Sequence, residues 1–292
     1  MSMLLGIITG IGVLVAVLVA LGAKTAWLLG AIAGFIVGWV GALILALLFL
    51  VVACQIVDKE KPQEKDSKFY RSLAKHYIAA ILQVGRVQVC TQGMEQLPKD
   101  GRFMMVCNHI HDVDSGVLLH CFADQGLAFI AKQEVKEFFL VGSILHKLQC
   151  QPINRENDRE ALKTILNCIR MLKEDLASIM VFPEGYVSLD GKLRHFRSGV
   201  FKIAQKANVP VVVCTLKGTK EVLPQVLQLK PAQVQMHLVG VVSAEQVKAV
   251  TTVELAEQVY DMMIADMGEE YRCDEKSMHP DLQKQMMEQN ET

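Results

Sequence analysis

One stretch of the sequence decides the fold: FMMVCNHIHDVDSGVLLHCF, residues 103–122. Residues 103–107 form a short apolar run that is typical of a buried strand, and residues 115–122 have the pattern of a helix. The polar residues 108–114 lie between the two. Because ligands bind at the carboxyl ends of strands in α/β sheets, this junction is the first candidate site.

Similar apolar runs alternate with helical patterns along the rest of the chain. We predict further strands over residues 128–131, 151–153, 179–182, 209–215 and 234–241, and helices over residues 69–84, 159–175, 200–207 and 254–270. Strands separated by helices predict an α/β sheet covered on both faces. This domain is expected to span residues 85–272, with a polar tail over residues 273–292.

The composition indicates an apolar segment joined to an ordinary globular domain. The 292 residues are 51% hydrophobic and only 21% charged, and the formal net charge is -1. These values exclude a disordered chain and a basic nucleic-acid-binding protein. The eight cysteines form no CxxC pair, and several lie in apolar runs. We therefore expect buried, reduced thiols and neither a disulfide framework nor a zinc site.

The apolar excess is concentrated in residues 1–57. Residues 3–21 and 26–57 contain no charged residue, and Lys24 lies between them. A bilayer core needs about 20 helical residues, so each run is long enough to cross it, and we predict a helical hairpin. Glycine recurs every four residues, which either allows close helix packing or reflects the frequency of glycine in such helices. The glycines are Gly6, Gly10, Gly30, Gly34 and Gly38.

The basic residues around the hairpin predict its orientation. Its turn holds Lys24 alone, whereas five basic residues follow the second run: Lys59, Lys61, Lys65, Lys68 and Arg71. Since Lys and Arg favour the cytoplasmic side, both ends of the hairpin and the globular domain are expected there. A hairpin that enters the bilayer without crossing it is the alternative. Residues 58–84 are interpreted as a linker and an amphipathic helix, which lies along the membrane or packs on the core.

A histidine and a carboxylate give the strongest chemical signal. Four residues separate His109 from Asp114, and in a tight turn before a helix this spacing brings imidazole and carboxylate together. A histidine removes a proton near neutral pH, and a carboxylate fixes its tautomer. Two alternatives remain open at this point: a metal site that uses His109, His111 and Asp112, and a simple helix cap by Asp114.

Two other motifs follow predicted strands. In FPEG, residues 182–185, Glu184 is suited to bind a hydroxyl or orient a cation, and Gly185 allows close approach of the backbone to a ligand. In INR, residues 153–155, Arg155 is a candidate phosphate clamp. Each motif alone is also typical of an ordinary turn or a solvated surface arginine.

Taken in order, these motifs resemble the lysophospholipid acyltransferase family, in particular its 1-acyl-glycerol-3-phosphate acyltransferase type. The blocks are NHxxxxD at residues 108–114, INR at 153–155, FPEG at 182–185 and VPVVVCT at 209–215. The resemblance implies a mixed sheet flanked by helices, of the glycerolipid acyltransferase kind, preceded by the transmembrane hairpin.

The resemblance also implies roles for individual residues. His109 would be the general base on the acceptor hydroxyl, and Asp114 would hold it. Arg155, with Glu184 and Gly185, would position the glycerol phosphate. Acyl-CoA or acyl carrier protein would donate the acyl group, with no metal, no other cofactor and no covalent acyl-enzyme. The absence of a GxSxG elbow from the sequence agrees with this mechanism.

The third block departs from the family. The family usually continues EGTRS, whereas residues 184–188 read EGYVS, so the usual arginine is absent. Arg194 and Arg197 are the candidates to replace it. Alternatively, the acceptor differs from lysophosphatidic acid.

We therefore expect a membrane-bound O-acyltransferase that makes phosphatidic acid, with membrane lipid and a thioester donor as its partners. Three alternatives are a metal-dependent lipid or phosphoester hydrolase, an acyltransferase for another lysolipid, and a membrane-anchored lipid-binding module.

Overall fold

The computed structural model describes residues 2–22, 27–154, 157–188 and 190–273. Lys24 in the hairpin turn, Arg155 of the INR motif and the predicted polar tail from residue 274 onward lie outside the described residues.

Two N-terminal helices, α1 (Met3–Gly22) and α2 (Trp27–Gln55), pack against each other. Both are long and apolar enough to cross a membrane. Cβ atoms built on Gly34 and Gly38 would lie 3.0 and 2.8 Å from side chains of α1, so these glycines allow the close approach. On α1, Gly12 packs against Phe35, whereas no atom lies within 4 Å of a Cβ built on Gly10. Two of the predicted glycines, Gly34 and Gly38, therefore allow close helix packing on α2. On α1 the glycine in close contact is Gly12 and not Gly10.

Helix α3 (Lys68–Val84) joins the hairpin to the globular domain. The hydroxyls of Tyr70 and Tyr77 donate to backbone carbonyls of α2 at 2.7 and 2.5 Å. Tyr70 and Leu73 are buried in an apolar cluster with the end of α2. Ile81 and Val84, in the last turn of α3, are 68% and 69% exposed. The first half of α3 thus packs on the core, and its last turn leaves apolar side chains uncovered.

The domain is built on a mixed seven-stranded sheet in the order β1-β7-β6-β2-β5-β3-β4. Strands β2 to β6 all run in one direction, and β1 and β7 run in the opposite direction. The predicted mixed α/β sheet is confirmed. The strands are β1 (Val87–Gln92), β2 (Met104–Cys107), β3 (Leu127–Lys132), β4 (Gln151–Ile153), β5 (Ser178–Val181), β6 (Val211–Lys217) and β7 (Ala232–Val242).

Helices cover both faces of this sheet, which is why its central strands are continuously apolar and fully buried. One core lies under α6, α7, α9 and α10, and the other lies under α3, α4 and α8. The remaining helices are α4 (Val113–Cys121), α5 (Phe139–Lys147), α6 (Asp158–Lys173), α7 (Lys202–Ala207), α8 (Thr219–Leu227), α9 (Ala244–Ala249) and α10 (Thr252–Met267).

Candidate active site

The candidate site lies at the shared carboxyl edge of β2 and β5. These strands are parallel neighbours, with Val106 opposite Val181. The chain leaves β2 toward His109 and leaves β5 toward Glu184, so the two motifs meet at one edge of the sheet. This is the edge at which α/β sheets bind ligands.

His109 and Asp114 form a hydrogen-bonded pair. The Nδ1 atom of His109 lies 2.9 Å from the Oδ2 atom of Asp114, which is completely buried. The same oxygen accepts the backbone N–H groups of Ile110 at 2.7 Å and His111 at 2.9 Å. A carboxylate that accepts three bonds fixes the turn and orients the imidazole, with its Nδ1 toward the acid.

Glu184 braces the same turn from inside the protein. It is completely buried, and its two oxygens accept the backbone N–H groups of His109 at 2.7 Å and Arg194 at 2.8 Å. Burial raises the pKa of Glu184 to about 8, while these N–H groups oppose the rise. The side-chain carboxyl group of Glu184 therefore joins two loops through their backbones. This placement differs from the expectation that Glu184 binds a substrate hydroxyl or phosphate.

Three residues without a predicted role complete the support of His109. The ring of Phe182 stacks on the imidazole, with centroids 3.9 Å apart and planes inclined by 11°. The side chain of Asn108 both donates to and accepts from the backbone of Leu216 on β6, at 2.9 and 2.7 Å. The Ser188 N–H donates to the His109 carbonyl at 2.7 Å. Phe182 and Asn108 belong to the FPEG and NHxxxxD motifs, which is the signal that points to them.

Arg194 is committed to contacts within the protein. Its guanidinium lies 2.9 Å from an Asp190 carboxylate oxygen and 3.1 Å from the sulfur of Cys273. Just before it, the Leu193 N–H donates to the carbonyl of Tyr271 at 2.7 Å. The segment that follows α10 therefore runs beside the loop of Arg194 and holds it.

Arg197 lies directly over the FPEG turn. Its backbone N–H donates to the carbonyl of Pro183 at 2.9 Å, and its guanidinium lies 5.9 Å from the centroid of the Tyr186 ring. Gly185 has a φ of +86°, and a Cβ at this position would lie 2.8 Å from Nε of Arg197. That Nε is buried and has no hydrogen-bond partner among the described residues. Arg197 therefore retains donor capacity beside the histidine turn.

The INR motif lies further along the sheet. β4, which precedes Arg155, is separated from β5 by β3. Arg155 itself is outside the described residues, so the predicted phosphate clamp at this position stays a prediction.

The described residues do not bring metal ligands together. Among them, no group of three or more His, Cys, Asp or Glu side chains is arranged to hold a metal ion. The Nδ1 of His111 accepts the N–H of Val113 at 3.2 Å, and Asp112 is exposed. The three residues of the alternative metal site, His109, His111 and Asp112, therefore form no such cluster.

A cavity adjoins the histidine turn. It has a volume of about 240 Å³, and Ile110 of this turn is one of the residues that line it. Two lysines lie on its wall: Lys217, at the end of β6, and Lys220 of α8.

The known proteins that this chain resembles are acyltransferases. Residues 88–217 match the family model described as Acyltransferase. The chain is 34% identical over 158 residues to a chloroplastic 1-acyl-sn-glycerol-3-phosphate acyltransferase, BAT2, from Brassica napus, covering 54% of this chain and 45% of that protein. It is 29% identical over 184 residues to a probable 1-acyl-sn-glycerol-3-phosphate acyltransferase from Mycoplasma pneumoniae, covering 62% and 66%.

A solved structure shares the fold. The 1-acyl-sn-glycerophosphate acyltransferase PlsC from Thermotoga maritima superimposes with a TM-score of 0.54 at 24% identity, over 75% of this chain and 85% of that one. The chain spans about half of the length of the plant and algal relatives that it matches.

Proposed function

We propose that this chain, whose residues 88–217 match the Acyltransferase family model, moves a fatty acyl group from acyl-CoA or acyl carrier protein to 1-acyl-glycerol-3-phosphate. The product is phosphatidic acid. The observation that carries the proposal is the pair of His109 and Asp114, 2.9 Å apart, at the shared end of β2 and β5. The names of the similar proteins support this acceptor.

The imidazole of His109 is oriented to act as a general base. With Nδ1–H donating to Asp114, the free Nε2 takes the proton of the acceptor hydroxyl. The hydroxyl oxygen attacks the thioester carbonyl carbon, and a tetrahedral intermediate forms. The carbon–sulfur bond then breaks, and the thiolate leaves with the proton that the imidazolium returns. The stacked ring of Phe182 keeps the imidazole plane fixed during both proton transfers.

Arg197 is our candidate for the cation that binds the acceptor phosphate. The family's usual arginine is replaced by Val187, and the guanidinium of Arg194 already contacts Asp190 and Cys273. Arg197 lies over Gly185 with its Nε unpaired among the described residues. A guanidinium binds phosphate through paired N–H donors, so Arg197 suits this role. Glu184 acts as a positioning residue, since both of its oxygens accept backbone N–H groups.

The two apolar helices support attachment of this chemistry to a membrane. Helices α1 and α2 are proposed to cross the bilayer, with the domain on the cytoplasmic side because the basic residues follow α2. Acceptor lipid then reaches the site from the leaflet, and the thioester donor reaches it from water.

The test uses the full chain in vesicles, with labelled acyl-CoA and a panel of lysolipids. His109→Ala is expected to lower turnover by ~10²–10⁴, the range typical for loss of a general base. The matched control is His111→Ala, because the side chain of this neighbouring histidine bonds, among the described residues, to the Val113 N–H and not to Asp114. We expect it to stay near the activity of the unchanged protein. Near-normal transfer by the His109 variant contradicts the mechanism, and transfer to other lysolipids but not lysophosphatidic acid contradicts the acceptor.

A further inference from the structure

The C-terminal end of α8 exposes leucines on a hydrogen-bonded turn. Leu223, Leu227 and Leu229 are 51%, 76% and 83% exposed, and we call these three residues the α8 tip. The Leu229 N–H donates to the Val226 carbonyl at 3.0 Å, and Leu229 has a φ of +58°. Backbone hydrogen bonds thus hold a leucine outward in a conformation that L-residues rarely adopt. Clustered apolar surface of this kind marks a contact site.

The α8 tip adjoins the end of α3. A Cβ built on Gly85 would lie 3.1 Å from Cγ2 of Val226, and Nη1 of Arg86 donates to the Leu229 carbonyl at 3.2 Å. The last turn of α3 adds two further exposed apolar side chains, Ile81 and Val84. The apolar surface therefore continues from α8 onto α3.

The start of the hairpin reaches the same place. The backbone nitrogen of Ser2 donates to the side-chain oxygen of Gln83 on α3. Met3 and Ile7, on the first turns of α1, are 65% and 51% exposed. The α8 tip, the end of α3 and the beginning of α1 thus converge, and α1 is one of the two helices suited to lipid.

We propose that the α8 tip inserts into the lipid bilayer beside the hairpin, as a second membrane contact made by the catalytic domain itself. Arg86 and Lys230 flank the leucines and are exposed, which suits lipid phosphate head groups. α8 directly follows β6, and the backbone of Leu216 on β6 makes two hydrogen bonds with the side chain of Asn108. Insertion of the tip therefore sets the depth of the His109 turn relative to the membrane. The inference rests on the membrane attachment in the proposed function, but its test needs no turnover.

The experiment places a fluorescent nitrobenzoxadiazole label at Leu229→Cys in the full chain, in vesicles of phosphatidylcholine and phosphatidylglycerol. A Cys90→Ser background removes an exposed thiol, and the labelled background alone gives the blank. Leu166→Cys on α6, 56% exposed, is the matched control on the other face of the sheet, and Leu14→Cys on α1 is the reference within the hairpin. Lipids that carry a nitroxide on the acyl chain serve as quenchers.

We expect the label at position 229 to emit at shorter wavelength than the label at 166 and to lose most of its emission to the nitroxide lipids. Equal emission and equal quenching at 229 and 166, with strong quenching at 14, overturn the inference and leave the hairpin attachment standing. A blue shift at 229 without nitroxide quenching also overturns it, because the tip is then covered by protein. Absence of quenching at 14 overturns both the inference and the proposed attachment, whatever the catalytic assay shows.

Discussion

Replacement of Asp114 by asparagine tests the geometry of the site most directly. One oxygen of Asp114 accepts three N–H groups, from the His109 ring and the backbones of Ile110 and His111. An amide oxygen carries no full negative charge, so it holds three N–H donors less well than the carboxylate oxygen does. The backbone N–H groups are fixed by the turn, so the imidazole is expected to lose its partner.

The structure gives the size of the effect. The other oxygen of Asp114 is buried and has no partner among the described residues, so an amide NH₂ placed there gains no acceptor. An unsatisfied buried donor costs about 1–3 kcal/mol, and the two remaining bonds lose their charge assistance, so Asp114→Asn should destabilise the protein by about 2–4 kcal/mol. Without a fixed tautomer, turnover should fall by about 10³–10⁴-fold, with little change in acceptor KM.

The assay compares Asp114→Asn with Asp112→Asn. Asp112 is exposed and its side chain makes no capping hydrogen bond to α4, so the same chemical change there should leave turnover and the thermal midpoint close to those of the unchanged protein. Thermal unfolding and initial rates are measured on the same preparations. Near-normal turnover by Asp114→Asn, or an equal loss in both variants, would refute this account of the turn.

Three further predictions concern the FPEG turn and its partners. Gly185→Ala should lower the free energy of unfolding by about 1–2 kcal/mol, because residue 185 has a left-handed backbone conformation. It should also raise the KM for the acceptor, because the added Cβ would meet Nε of Arg197. Thermal unfolding measures the first effect and steady-state kinetics the second. Arg197→Gln should raise the KM for the acceptor about 10- to 100-fold, because a charge-assisted hydrogen bond to the phosphate is lost. Arg194→Gln should instead lower the thermal midpoint of unfolding with little change in this KM. The reverse result would exchange the roles of the two arginines. Since burial raises the pKa of Glu184 to about 8, the folded state binds the extra proton, so stability should fall as pH rises from about 4.5 to about 8. In Glu184→Gln, the denaturation midpoint should depend less on pH over this range. An unchanged pH dependence would contradict the assignment of this effect to Glu184.

The sheet could be predicted because its central strands are buried on both faces. Such strands must be largely apolar, and the predicted residues 103–107 contain β2 while residues 179–182 differ from β5 by one residue at each end. β1 was not predicted. It is half-exposed at the sheet edge, and its partner β7 begins at Ala232, far along the chain. α8 was also not predicted, and Pro224 inside it interrupts the helical pattern.

The chemistry of the site was accessible from the sequence only where it is local. The spacing of His109 and Asp114 within one turn predicts their contact, and the structure places them 2.9 Å apart. The different environments of Arg194 and Arg197 could not be predicted, because Cys273 lies far from Arg194 in the chain. The contacts of Glu184 with two backbone N–H groups depend on complete burial, which a motif does not reveal.

The segment after α10 imposes an order on biosynthesis. Tyr271 and Cys273 contact Leu193 and Arg194, and these contacts form only after residue 273 has been translated and has left the exit tunnel. Under the proposed membrane attachment, the hairpin leaves the ribosome first and enters lipid before these contacts form. Under the same proposal, a chain whose synthesis stops before this segment is expected to be anchored but inactive.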